Sequence, residues 1–197
     1  MKYPKFFDTI ETITLYDELS KFLWVNDDWI LEISYLDIVK TAWHSCATVW
    51  WAYIIALKWL KELYKDKIPE RWNIKVELKR TETDDNTWVI WCVLSNITWA
   101  TTNYWFWGIP RWKYNRRWLL FYWANIDSDV CFTRLDTNEK VFINYTPQKV
   151  VQPMKILMSA IKPDATEEDK KTFPQRFQNM VKTLFENKDK VIEIKKV

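Results

Sequence analysis

A chain of 197 residues is long enough for one sizeable core, and no Pro- or Ser-rich linker divides it, so a single domain over 1–197 is expected. The formal charge of +3 comes from 29 basic and 26 acidic residues mixed along the chain, with no basic run beyond pairs such as Arg116-Arg117, which leaves no footprint for nucleic acid. No apolar run reaches the roughly 18 residues of a membrane span, the first residues lack a signal-like pattern, and three widely spaced cysteines suit reduced thiols, so a soluble, cytoplasmic protein is expected.

In chain order, Phe7, Ile10, Ile13, Leu15, Leu19 and Phe22 predict an amphipathic helix over residues 7–23, with Asp8 and Glu11 where the helix dipole favours acids. Ile30 to Tyr35 alternates as a strand, and a helix from about Cys46 to Tyr64 follows, apolar on nearly every side through Ala56 and so buried in its first half. Ile74 to Leu78 and Val89 to Val93 read as a hairpin about the acidic turn Thr81 to Asn86, and Ser95 to Pro110 as irregular. Leu119 to Tyr122, Val130 to Leu135 and Lys140 to Tyr145, separated by Asp127-Ser128-Asp129 and Asp136-Thr137-Asn138, predict an antiparallel meander. Val151 to Ile161 and Glu167 to Phe185 are helical by periodicity, with Pro174 starting or kinking the second, and Val191 to Ile194 supplies a closing strand. The fold class is α+β, with a mixed, largely antiparallel sheet flanked by helices.

Fifteen Trp against one Gly inverts ordinary usage, in which Gly is roughly 7% of residues. Several of these Trp stand where turns want a residue tolerant of φ > 0: Asp28-Trp29, Arg71-Trp72-Asn73, Asn86-Thr87-Trp88, Pro110-Arg111-Trp112 and Tyr122-Trp123-Ala124-Asn125. This pattern points to a gene whose UGA codons mean glycine and have been read as Trp, and UGG codons at these positions would overturn it.

His44 is the only histidine, and so the one side chain that ordinarily titrates near neutral pH. Cys46 lies two residues on, at the start of the buried helix, where free backbone N–H groups and the helix dipole favour a thiolate. Imidazole and thiolate are ligands for zinc or another soft divalent metal, and a third would have to come from Cys92, Cys131 or an acid. Equally, His44 serves as a general base beside a nucleophilic Cys46, with Ser45 or a carbonyl orienting the ring. Cys92 and Cys131 lie in apolar strand patterns and read as core, and Glu82, Asp84, Asp85, Asp127 and Asp129 read as solvated turns without a paired-carboxylate motif.

With Trp read as Gly, Ala42-Trp43-His44-Ser45-Cys46-Ala47-Thr48-Val49-Trp50-Trp51 becomes a Gly-His-x-Cys segment that resembles the formylmethanofuran dehydrogenase E-subunit family. Thr98-Trp99-Ala100-Thr101, followed by Trp105, resembles that family's Thr-Gly-Cys-Thr stretch and the glycine after it. The resemblance covers about residues 5–145 and implies a thioredoxin-like core and a zinc-capable site at the Gly-His-x-Cys segment, with no assigned reaction. Ala47 stands where the family often has Pro, and Ala100 where it often has Cys, removing a potential thiolate. No Cys-x-x-Cys pair follows Cys131, so the zinc-finger module of longer members is missing and residues 148–197 are expected to be a helical extension.

The expected function is therefore metal-binding or thiol-dependent action on an unknown small molecule, with His44 and Cys46 as metal ligands or as base and nucleophile. The alternative is a non-catalytic module that forms a homodimer or binds a partner, with both residues structural.

Overall fold

The computed structural model describes residues 2–110 and 113–197. Residues 7–23 do not form one helix: a 3-10 turn at Lys5–Thr9 leads to strand β1 (Ile13–Tyr16) and then to helix α1 (Glu18–Phe22). Ile13 and Leu15 are buried two residues apart, so the strand period prevails over a helical spacing that the same residues also satisfy. Asp17 caps α1, its carboxylate accepting the Leu19 N–H at 2.9 Å. Strand β2 (Ile30–Ile33) pairs antiparallel with β1, Ile13 opposite Ile33.

Helix α2 (Tyr35–Ala42) has no counterpart among the elements expected from the sequence, although Ser34 and Asp37 form a capping box at its start. The Ser34 hydroxyl accepts the Asp37 N–H at 3.2 Å, and the Asp37 carboxylate accepts the Ser34 N–H at 3.0 Å. Ser34→Ala is expected to destabilise the protein by about 1 kcal/mol, read as a lower urea midpoint with unchanged slope.

Helix α3 (Ala47–Tyr64) is the central element, with Trp50, Tyr53, Ile54 and Trp59 wholly buried, as its all-round apolar pattern requires. Strand β3 (Ile74–Leu78) alternates buried and half-buried residues as expected, but the hairpin does not follow. The run through Val89–Val93 belongs instead to helix α4 (Thr87–Thr98), which packs on α3. A short apolar run carries no period that separates strand from helix. Because α4 crosses over, the next strand, β4 (Leu120–Phe121), runs parallel to β3.

Strands β5 (Val130–Arg134) and β6 (Lys140–Tyr145) form the expected antiparallel pair, with Cys131 opposite Phe142. Helices α5 (Pro153–Ile161), α6 (Glu167–Glu186) and α7 (Lys188–Val191) precede strand β7 (Ile192–Lys196), and Pro174 lies inside α6. The main sheet has the order β4-β3-β5-β6-β7, antiparallel except between β3 and β4. The mixed, largely antiparallel sheet flanked by helices is thus the one expected. The segment after residue 148 is more than an appendage, because Met180, Val181 and Leu184 are buried in the same core and β7 closes the sheet. No helix of the described residues is long and apolar enough to cross a membrane.

Two groups stand out among the tryptophans. Trp24, Trp29, Trp43, Trp99, Trp105, Trp118 and Trp123 have φ between 49° and 91°. Only about a few per cent of non-glycine residues enter this region, and bulky ones do so rarely. Trp29 and Trp123 are two of the turn positions singled out by sequence; Trp72 and Trp88 are not left-handed, and Trp112 lies outside the described residues. In a second group, Trp50, Trp51, Trp59 and Trp91, the indole N–H is buried and has no hydrogen-bond acceptor among the described residues, whereas buried tryptophan N–H groups usually find one.

Candidate functional site

His44 and Cys46 stand in the short connection between α2 and α3. Trp43 ends α2 in the left-handed conformation that most often belongs to glycine at a helix C-terminus, and its indole is 91% exposed. His44 is exposed, and its Nδ1 donates to the Ala42 carbonyl at 2.7 Å. A carbonyl can only accept, so in the neutral ring the proton sits on Nδ1 and Nε2 carries the lone pair. Cys46 is the N-cap of α3, its Sγ accepting the Val49 N–H at 3.4 Å. The sulfur thus takes the place usually held by a serine or aspartate oxygen.

Three contacts brace this corner. The buried Ser45 hydroxyl bonds the Tyr35 hydroxyl at 2.9 Å, and burial pushes the Tyr35 phenol far above its ordinary range. The Gln178 side chain of α6 donates to the Ser45 carbonyl at 3.1 Å, so the C-terminal segment holds the loop in place. Tyr145 ends β6 beside the corner, its ring stacked on that of Trp51 at 4.9 Å and its buried hydroxyl without a partner among the described residues. None of Tyr35, Gln178 and Tyr145 is marked by the sequence, because each reaches the corner only through the fold.

A cavity of about 310 Å³ opens next to the corner, between the N-termini of α3 and α4. Ala47, Thr48, Trp51, Arg80, Thr87 and Tyr145 are among its lining residues. Thr87 is buried, and its hydroxyl has no partner among the described residues. The Asn86 amide donates to the Thr48 hydroxyl at 3.4 Å and ties the two helix starts together. Glu82, Asp84 and Asp85 lie in exposed turns as expected, and Asp129 accepts the Tyr145 N–H at 2.8 Å.

The other cysteines do not join His44 and Cys46. Cys92 lies on α4 rather than on a strand, and Cys131 on β5 is buried; burial raises both thiols. Among the described residues, no group of three or more His, Cys, Asp or Glu is placed to hold a metal ion. Ala100 follows the C-terminal end of α4, the end away from Asn86 and Thr48, so the two segments that carry the family resemblance sit at opposite ends of that helix, roughly 18 Å apart along its axis for twelve residues. Trp99, like Trp43, ends its helix in the left-handed conformation. Compared with models of known protein families and with curated protein sequences, the chain matches none.

Proposed function

We propose that this is a cytoplasmic, thiol-dependent protein related to the formylmethanofuran dehydrogenase E-subunit family, which acts on a small molecule held in the cavity beside Cys46. The observation that carries this reading is a sulfur that caps α3 two residues after a histidine whose Nδ1–H is anchored on a carbonyl. That anchoring leaves Nε2 of the neutral ring free to take a proton, as a general base must, and Cys46 presents its sulfur at the N-terminus of α3. The left-handed backbone at Trp43 and Trp99, where the resemblance expects glycine, supports the family reading. The β3–α4–β4 crossover beside the β5–β6 hairpin supports its thioredoxin-like core.

Zinc, or another soft divalent metal, is the second reading, favoured by the same free Nε2. His44 and Cys46 fall short of a zinc ligand set by themselves, since two side chains do not hold the ion against water. Glycine at Trp51 would deepen the cavity toward the Tyr145 ring, where the indole now stacks.

Alkylation with iodoacetamide separates these readings. Cys46 is expected to react fastest of the three thiols, since burial raises those of Cys92 and Cys131, and His44→Ala is expected to slow it by roughly tenfold or more. Stoichiometric zinc in protein purified without added metal, lost in both His44→Ala and Cys46→Ala, would instead select the metal reading. A zinc-free protein whose Cys46 reacts no faster than Cys92 would leave the dimerising or partner-binding module, with both residues structural.

A further inference from the structure

The guanidinium of Arg116 is wholly buried, yet among the described residues only Nη2 is partnered, 3.3 Å from Asp17 Oδ1, and Nε and Nη1 meet no acceptor. Arg71 donates from Nε and Nη2 to the Ile97 and Asn96 carbonyls and holds the same Asp17 with Nη1 at 3.5 Å. One carboxylate therefore faces two guanidiniums, and Glu70 acts on Arg116 only through space. Burial, reinforced by repulsion from Arg71, brings the Arg116 guanidinium down to about 10 against the pull of Asp17.

The Trp99 ring covers both cations, its centroid 4.7 Å from Arg71 and 5.4 Å from Arg116. Trp99 also lines a second cavity, of about 160 Å³, with Trp91, Ser95, Tyr104 and Trp105. The indole is thus the partition between a solvent-facing hollow and two guanidiniums short of negative charge. It hangs from a backbone with φ 58°, which glycine adopts without strain.

We propose that Arg116 and Arg71 form a binding site for the oxyanion of a small molecule, a phosphate or a carboxylate group, entered through this cavity and closed in this chain by the Trp99 indole. An oxyanion balances the second guanidinium and supplies the acceptors that Arg116 lacks, and arginine is the side chain best suited to such groups. The site lies at the C-terminal end of α4, away from Cys46, and does not depend on the thiol chemistry proposed there.

The test is calorimetric titration of Trp99→Gly with inorganic phosphate and with acetate, against chloride at matched ionic strength. Saturable one-to-one binding of either anion is expected in Trp99→Gly and none in the intact chain, and the tighter of the two identifies the acid group. Adding Arg116→Lys keeps the charge but removes the fork, and is expected to weaken binding by about tenfold or more. Should Trp99→Gly fail to fold, Trp99→Ala opens the same space. A folded variant that binds neither anion beyond the chloride control, or binding unmoved by Arg116→Lys or equally present in the intact chain, overturns the proposal.

Discussion

Replacing Trp24, Trp29, Trp43, Trp99, Trp105, Trp118 and Trp123 together by glycine is expected to raise the melting temperature by about 10 °C or more. The left-handed conformation costs an L-residue roughly 1–2 kcal/mol, and glycine gives back roughly 0.5–1 kcal/mol of that through its looser unfolded chain. A net gain of some 0.5–1 kcal/mol at each of the seven sites sums to about 3–7 kcal/mol, a large part of what holds a domain of this size together. At Trp43, Trp123 and Trp24, which are 91%, 81% and 77% exposed, little burial is lost in exchange. The seven-fold alanine variant is the control: it removes the same indoles but keeps a Cβ, so it should stay well below the glycine protein. Equal melting of the glycine and tryptophan chains would show that the backbone does not need glycine there, and would remove the main support for UGA decoding. The buried second group, Trp50, Trp51, Trp59 and Trp91, makes the same point through orphaned N–H groups.

What is legible in the sequence follows the physics of each element. The strands at β3, β5 and β6 and the helix α3 are readable because alternation, or an apolar run long enough to be only a helix, is bounded by turn residues such as Asp136-Thr137-Asn138. The first twenty residues are not, since Phe7, Ile10 and Ile13 satisfy a helical spacing while Ile13 and Leu15 also satisfy a strand, and pairing with β2 decides between them. Helix α4 is hidden for a different reason: its apolar stretch Val89–Val93 is too short to show a period, and the Trp at 88 and 91 obscure the helical pattern of its faces. Helix α2 does carry a readable signal, the Ser34-x-x-Asp37 capping box, but only eight residues follow it, too few for their periodicity to stand out. At the candidate site, His44 and Cys46 are visible because they are close in sequence. Thr87 and Tyr145 meet in the neighbouring cavity, and Gln178 reaches the Ser45 carbonyl, only after α4, β6 and α6 have packed on α3, and no local pattern announces such a meeting.

Asp17→Asn is expected to destabilise the protein by about 3–5 kcal/mol, because it strands two buried cations. Asp17 is 2% exposed and is the common partner of Arg116, 3.3 Å away and wholly buried, and of Arg71, 3.5 Å away. Without it, two guanidiniums that already repel one another lose the charge that reconciles them to burial. The asparagine variant is chosen because its amide oxygen can still accept the Leu19 N–H and cap α1, so the loss measures charge rather than capping. Asp17→Ala should add about another 1 kcal/mol for the missing cap. Combining Asp17→Asn with Arg116→Met removes one stranded cation and fills its space with an apolar chain of similar length, and should recover part of the loss, giving a coupling energy of about 1–3 kcal/mol in urea unfolding. If Asp17→Asn unfolds within about 0.5 kcal/mol of the parent chain, within the ordinary range of surface substitutions, Arg116 is compensated by something other than Asp17. Repeating the measurement on Trp99→Gly with and without phosphate joins this charge balance to the anion site, since an oxyanion on Arg116 in the opened chain should soften the effect of losing Asp17 and chloride should not.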